Sequence, residues 1–211
     1  MQSKKRRLKK SKLYLILDAQ VNSYQELFEI ATIAIREGVD ILQLRDKSGS
    51  ARDILTFCKK VQRVLRSETL FILNDRVDLS ILTQSDGVHV GQGDIPLQDA
   101  QSLLPKKLIV GVSCQTYAHV KKAEQGFADY IGLGSIFKTL TKPDRHPMNV
   151  QLLKKVYRNA KLPVFAIGGI DLPKCEQLKK VGVDRVAVCR AICLARNKTK
   201  VIKEFQKILD I

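Results

Sequence analysis

The sequence predicts a single (β/α)8 barrel of the TIM type, and three observations predict it. Short runs of β-branched and other aliphatic residues alternate with longer stretches of helical spacing. Eight strand-then-helix units follow one another, spaced roughly 20–30 residues apart. Glycines and polar side chains gather at the C-terminal ends of the strand-like runs, where a parallel barrel carries its chemistry.

Each element has its own reason. Residues 13–17 are apolar and short, a first strand ending at Asp18. Residues 24–36 place Leu27, Ile30, Ala31 and Ala34 on one helical face. Residues 39–44 are the second strand. Residues 51–66 carry Ile54, Leu55, Cys58, Val61 and Leu65 along one side of a helix. Further strands are predicted at 70–73, 87–90, 108–112, 130–133, 163–167 and 185–188, with helices at 77–82, 97–104, 118–126, 150–159, 172–181 and 198–209. One long polar loop, 134–147, follows the sixth strand, and loops of that length in compact domains are often lids or binding segments. An open doubly wound sheet is the alternative. No Gly-x-Gly-x-x-Gly turn follows the first strand, which weakens its dinucleotide-binding form.

The chain of 211 residues suits one domain. It is 45% hydrophobic with no tryptophan, so the core is expected to be Val, Ile, Leu and Ala. The formal charge is +16. Lys4, Lys5, Arg6, Arg7, Lys9, Lys10 and Lys12 supply part of it, with no acid before Asp18. Residues 1–11 therefore read as a disordered basic arm, and 12–211 as the barrel domain. The body remains basic without the arm, as suits anionic ligands. No secretory signal and no run near 18 apolar residues are visible. The five cysteines include no Cys-x-x-Cys pair, which points to free thiols in a reducing cytoplasm.

At the strand ends the polar residues form a pattern. Gln43, Arg45 and Lys47 share a face if the second strand stays extended. Asn74 and Asp75 follow strand three, and Asp94 follows strand four. Two carboxylates at neighbouring strand ends suit Mg²⁺, which takes one or two carboxylates plus phosphate oxygens. The competing reading makes Asp75 and Asp94 helix caps. His89 reads as an interior histidine with a hydrogen-bond partner. Ser113 follows strand five as a phosphate donor, while Thr116 reads as a helix cap. Thr139, Thr141 and Lys142 follow strand six, and hydroxyls and a cation suit phosphate. Gly168 and Gly169 follow strand seven, and Cys189 and Arg190 follow strand eight, where barrels commonly hold phosphate. Two anion zones emerge: Arg45, Lys47, Lys142 and a metal, and then Gly169, Arg190 and the threonines.

In this order the motifs resemble the thiamine-phosphate synthase family. They are 43–47 (QLRDK), Asn74-Asp75, 86–94 (DGVHVGQGD), 111–113 (GVS), 128–134 (ADYIGLG), 139–142 (TLTK) and 166–170 (AIGGI), and they cover nearly the whole chain after about residue 12. The resemblance implies a cytoplasmic Mg²⁺-dependent transferase on a (β/α)8 barrel. It would join a hydroxymethylpyrimidine diphosphate to a phosphorylated hydroxyethylthiazole, releasing pyrophosphate. By position, it implies Asp75 and Asp94 as Mg²⁺ ligands. It implies Gln43, Arg45, Lys47, Asn74, Ser113 and Lys142 for the pyrimidine diphosphate, with Gln43 on the aminopyrimidine. It implies Thr139, Thr141, Gly169, Cys189 and Arg190 for the thiazole phosphate. The chain departs from the pattern at Arg190, where a small serine is expected, at Gln115, where histidine is common, and at Ser135 and Lys138, where prolines are expected.

Two rivals are weighed. A related thiazole tautomerase would lack parts of the metal and diphosphate set and carry a histidine near Gln115. A nucleic-acid-binding protein would use the basic arm, yet no stacking platform or binding motif is visible. The expected partners are thus two phosphorylated small molecules, with no membrane and with nucleic acid disfavoured. Homo-oligomerisation is left open.

Overall fold

The computed structural model describes residues 4–140 and 146–211. Eight parallel strands close into a barrel in sequence order: β1 Leu13–Asp18, β2 Ile41–Arg45, β3 Leu70–Asn74, β4 Gly87–Val90, β5 Ile109–Cys114, β6 Tyr130–Leu133, β7 Val164–Ile167 and β8 Val186–Val188. Between them run α2 Tyr24–Arg36, α3 Ala51–Val64, α4 Val77–Leu82, α5 Leu97–Leu103, α6 Tyr117–Gln125, α7 Val150–Asn159 and α8 Leu172–Lys180. A one-turn α9, Arg190–Cys193, precedes α10 Lys198–Leu209. The predicted strands and outer helices all appear, with ends shifted by at most two residues.

Local chemistry starts the helices. Ser23 and Glu26 form a capping box on α2, and Ser50, Thr116, Asn149, Asp171 and Asn197 cap α3, α6, α7, α8 and α10. Strand alternation then divides the interior in two. Leu15, Leu42, Phe71, Val110, Ile131 and Ala166 face the helices in the larger core. Tyr14, Ile16, Ile41, Leu70, Ile72, Ile109, Tyr130 and Phe165 fill the barrel itself.

The basic segment is a correction to the sequence reading. Residues 4–10 are not a disordered arm but helix α1, Lys4–Lys10. Its Leu8 is 2% exposed and packs into the barrel-interior cluster. Lys4 pairs with Asp86 at 2.9 Å and Lys5 with Asp129 at 2.7 Å. Both acids immediately precede strands, so α1 closes the face opposite the strands' C-terminal ends. The sequence reading saw only a charge run. One buried leucine and two acids far away in sequence decide the outcome.

Candidate active site

A cavity of about 420 Å³ opens at the C-terminal ends of the strands. Gln43 and Arg45 from β2, Asn74 from β3, His89 from β4 and Ser113 from β5 line one side. Lys138, Thr139, Gly168, Gly169, Cys189 and Arg190 line the other. The structure thus brings together eight of the residues picked from sequence: Gln43, Arg45, Asn74, Ser113, Thr139, Gly169, Cys189 and Arg190. Thr141 and Lys142 lie outside the described residues.

Arg45 is 9% exposed and anchored from below. One of its nitrogens donates to Asp18 Oδ2 at 2.8 Å and to Gln20 Oε1 at 3.0 Å. Asp18, fully buried at the end of β1, was not picked out from sequence. A buried carboxylate so close to the guanidinium fixes its direction and balances part of its charge.

Lys47 stands just beyond β2. Its ammonium contacts Asp75 Oδ2 and lies 3.3 Å from Asp94 Oδ1. Asn74 Nδ2 donates to Asp75 at 2.5 Å, which ties this group to the cavity wall. The turn holding Lys47 is built by Asp46, which accepts from the Ser48 and Gly49 N–H groups at 2.9 and 2.7 Å and from the Tyr24 hydroxyl at 2.5 Å. The Asp-x-Ser-Gly order is the local signal for that turn.

Asp75 and Asp94 do not cap helices. Arg76 and Pro96 hold the N-cap positions of α4 and α5 without side-chain bonds. Asp75 instead adopts a left-handed backbone, φ 59°, which aspartate tolerates better than most residues. The two carboxyls contact one another and their acidities diverge. Burial pushes Asp75 up, against the pull of Lys47, and the neighbouring Asp94 adds to the rise. Burial also works to raise Asp94, but hydrogen bonds with Asp75, the Gly91 N–H and Lys47 outweigh it and hold Asp94 low. Two touching carboxylates bridged by an ammonium make a site of hard oxygens that suits a small divalent cation. Among the described residues no third His, Cys, Asp or Glu joins them, so phosphate oxygens and water would complete such a shell.

The opposite side is shaped for close approach. Gly168 and Gly169 have φ of 108° and 64°, and a Cβ on Gly169 would lie 2.3 Å from the Lys138 carbonyl oxygen. Lys174 reaches back to the Gly169 carbonyl at 2.9 Å and to Asp171 at 3.0 Å. Arg190 lines the cavity, and its buried Nε has no hydrogen-bond partner among the described residues.

The cavity wall also holds a hydrogen-bonded group in which Tyr14 and Tyr130 were not picked out from sequence. Tyr14 and Tyr130 are 2% and 0% exposed, and their hydroxyls meet at 2.9 Å. Gln43 Nε2 donates to the Tyr14 hydroxyl at 2.7 Å. His89 joins Tyr130 through Nδ1 at 3.1 Å and Ser113 through Nε2 at 3.0 Å. Burial pushes both phenols well above their ordinary range, so they remain protonated.

A model of the family described as thiamine monophosphate synthase matches residues 13–192. The chain belongs to that family. Membership makes it an enzyme of the transferase class. Its sequence is 35% identical over 201 residues to the thiamine-phosphate synthase of Fusobacterium nucleatum, covering 95% of this chain and 98% of that one. It is 35% identical over 210 residues to the thiamine-phosphate synthase of Coprothermobacter proteolyticus, covering 99% and 100%. Its fold matches the thiamine phosphate pyrophosphorylase structure from Pyrococcus furiosus with a TM-score of 0.86 at 32% identity, covering 98% of this chain and 97% of that one. The thiamine monophosphate synthase family thus has, in this chain, the two-sided cavity described above. Among the described residues no helix is long and apolar enough to cross a membrane.

Proposed function

We propose that the chain is a thiamine-phosphate synthase. It joins 4-amino-2-methyl-5-(diphosphooxymethyl)pyrimidine to 4-methyl-5-(2-phosphooxyethyl)thiazole, giving thiamine phosphate and pyrophosphate. The observation that carries this reading is the meeting of eight residues picked from sequence, drawn from six of the strand ends or the loops after them, around one cavity with two polar sides.

In this reading the bond between the pyrimidine methylene and the diphosphate oxygen breaks, and its electron pair leaves with pyrophosphate. The thiazole nitrogen supplies the pair for the new carbon–nitrogen bond. Arg45, Lys47, Asn74 and Ser113 hold the departing diphosphate, with Lys142 assigned there by the motif alone. Fixed donors and cations aimed at the leaving oxygens lower the barrier, because charge grows there as the bond breaks. Asp75 and Asp94 would hold Mg²⁺, which supplies further neutralisation of pyrophosphate. Gln43 orients the aminopyrimidine, whose amino group stabilises positive charge at the methylene. Thr139, Gly169, Cys189 and Arg190, with Thr141 from the motif, hold the thiazole phosphate and align its nitrogen. The unpartnered Arg190 Nε supports an anion there. The contacts of Lys4, Lys5 and Leu8 give the basic segment a structural role and remove the main reason for a nucleic-acid reading. A location in the cytoplasm fits an enzyme with five free cysteines.

The test is turnover of the two substrates by the purified protein, with and without Mg²⁺. Pyrophosphate release that requires both substrates and the metal is expected. Release from the pyrimidine alone, or equal rates in a chelator, would count against the reading.

A further inference from the structure

Five buried or half-buried side chains form one unbroken line of hydrogen bonds across the barrel: Gln43, Tyr14, Tyr130, His89 and Ser113. The links are 2.7, 2.9, 3.1 and 3.0 Å. They come from five different strands, β2, β1, β6, β4 and β5. All five line the cavity, with Gln43 and Ser113 at the two ends of the line. The barrel makes room for two of the three central rings with glycines: a Cβ on Gly111 would lie 2.1 Å from the Tyr130 ring, and one on Gly132 would lie 3.2 Å from His89.

Donors and acceptors in such a line are not independent. Each hydroxyl has one proton, and a neutral imidazole has one N–H and one bare nitrogen. If Gln43 donates to Tyr14, then Tyr14 donates to Tyr130 and Tyr130 to His89 Nδ1. His89 Nε2 then carries the proton and donates to Ser113. Two groups face the cavity as a result: the Gln43 amide oxygen as an acceptor, and the Ser113 hydroxyl as a donor. Running the line backwards reverses both ends. The Gln43 amide then turns its nitrogen to the cavity, and Ser113 spends its proton on His89.

We propose that this line makes Tyr14, Tyr130 and His89 positioning residues that set which pyrimidine the cavity accepts. An anion held by Ser113 selects the direction in which Ser113 donates to it. That choice passes through the histidine and the two tyrosines and leaves Gln43 presenting an acceptor to an amino group. The cavity thereby couples recognition of a phosphate oxygen at one end to preference for an exocyclic amine over an exocyclic oxygen at the other. This inference rests on the function proposed above and deepens it.

The test compares two pyrimidine diphosphates, one with the 4-amino group and one with a 4-oxo group, at saturating thiazole phosphate. The readout is the ratio of their kcat/KM values, in the wild type and in Tyr130→Phe and Tyr14→Phe. Intrinsic reactivity differences cancel when the ratio is compared between proteins. The wild type is expected to prefer the amine by about a hundredfold or more, as a site built to hydrogen-bond one group does. Either Phe variant breaks the line, frees the Gln43 amide to rotate, and is expected to reduce that preference by more than tenfold. Ser113→Ala removes the anchoring end and is expected to reduce it as well, which keeps the proposal testable if a Phe variant fails to fold. A structural role alone would slow both substrates alike. An unchanged preference in the variants that turn over would overturn the proposal while leaving the proposed function standing. Loss of the function itself would show as no thiamine phosphate from the wild type with the amine substrate.

Discussion

Lys47 and Asp75 form an ion pair across the C-terminal ends of β2 and β3, at one of the two carboxylates proposed above to hold Mg²⁺. The lysine has two tasks that conflict. It neutralises Asp75 and Asp94, and it is also assigned to the diphosphate. Lys47→Ala is therefore expected to act in opposite directions on two constants. The KM for the pyrimidine diphosphate should rise about tenfold, roughly the 1.4 kcal/mol of one charge-assisted contact. The Mg²⁺ concentration giving half-maximal rate should fall, because a competing cation is gone. Asp94→Ala should instead abolish most of the metal-dependent rate. Steady-state titrations of metal and substrate separate the two variants.

Asp46 sets the turn that carries Lys47. Burial works against its charged form, but the Tyr24 hydroxyl and the Ser48 and Gly49 N–H groups outweigh this and hold the carboxyl below its ordinary range. A carboxyl lowered in the folded state contributes stability above its unfolded pKa of about 4, and that contribution is lost as pH falls through the lower folded value. Asp46→Asn is expected to cost about 1 kcal/mol at pH 7, on the scale of a lost hydrogen bond to a charge at a partly exposed site. The gap to wild type should shrink below about pH 4. Urea denaturation at a series of pH values measures it, and a gap independent of pH would contradict this account.

Gly111 and Gly132 provide a graded steric test. Alanine at 111 places a Cβ 2.1 Å from the Tyr130 ring, which is itself fully buried. Alanine at 132 meets only the edge of His89 at 3.2 Å. Gly111→Ala should therefore destabilise by about 2–3 kcal/mol or prevent folding, and Gly132→Ala by about 1 kcal/mol or less. Equal costs in thermal or chemical unfolding would mean that the barrel interior is looser than the structure indicates.

Leu8 joins α1 to the barrel floor. Leu8→Ala is expected to cost about 2–4 kcal/mol, the range for truncating a buried leucine. Neutralising Lys5, whose side chain is 59% exposed, should cost less than about 1 kcal/mol despite its ion pair with Asp129. If the charge mattered more than the leucine, α1 would be held by electrostatics, and the difference would vanish in high salt.

The sequence by itself determined the barrel and most of the rim. Periodicity sets which residues face the helices, and the polar residues at the strand ends were legible as Gln43, Arg45, Asn74, Asp75 and Asp94 because strand order places consecutive ends side by side. Tertiary structure decided the rest. Asp18 beneath Arg45, the tyrosines beneath Gln43, and Asp86 and Asp129 beneath α1 are contacts between residues 27 to 124 positions apart, by subtraction of their numbers. No local pattern announces such pairs, since a buried tyrosine reads as ordinary core until its hydroxyl finds a partner from another strand. Local propensity is written along the chain, whereas the satisfaction of a buried polar group depends on which strands the closed barrel brings together.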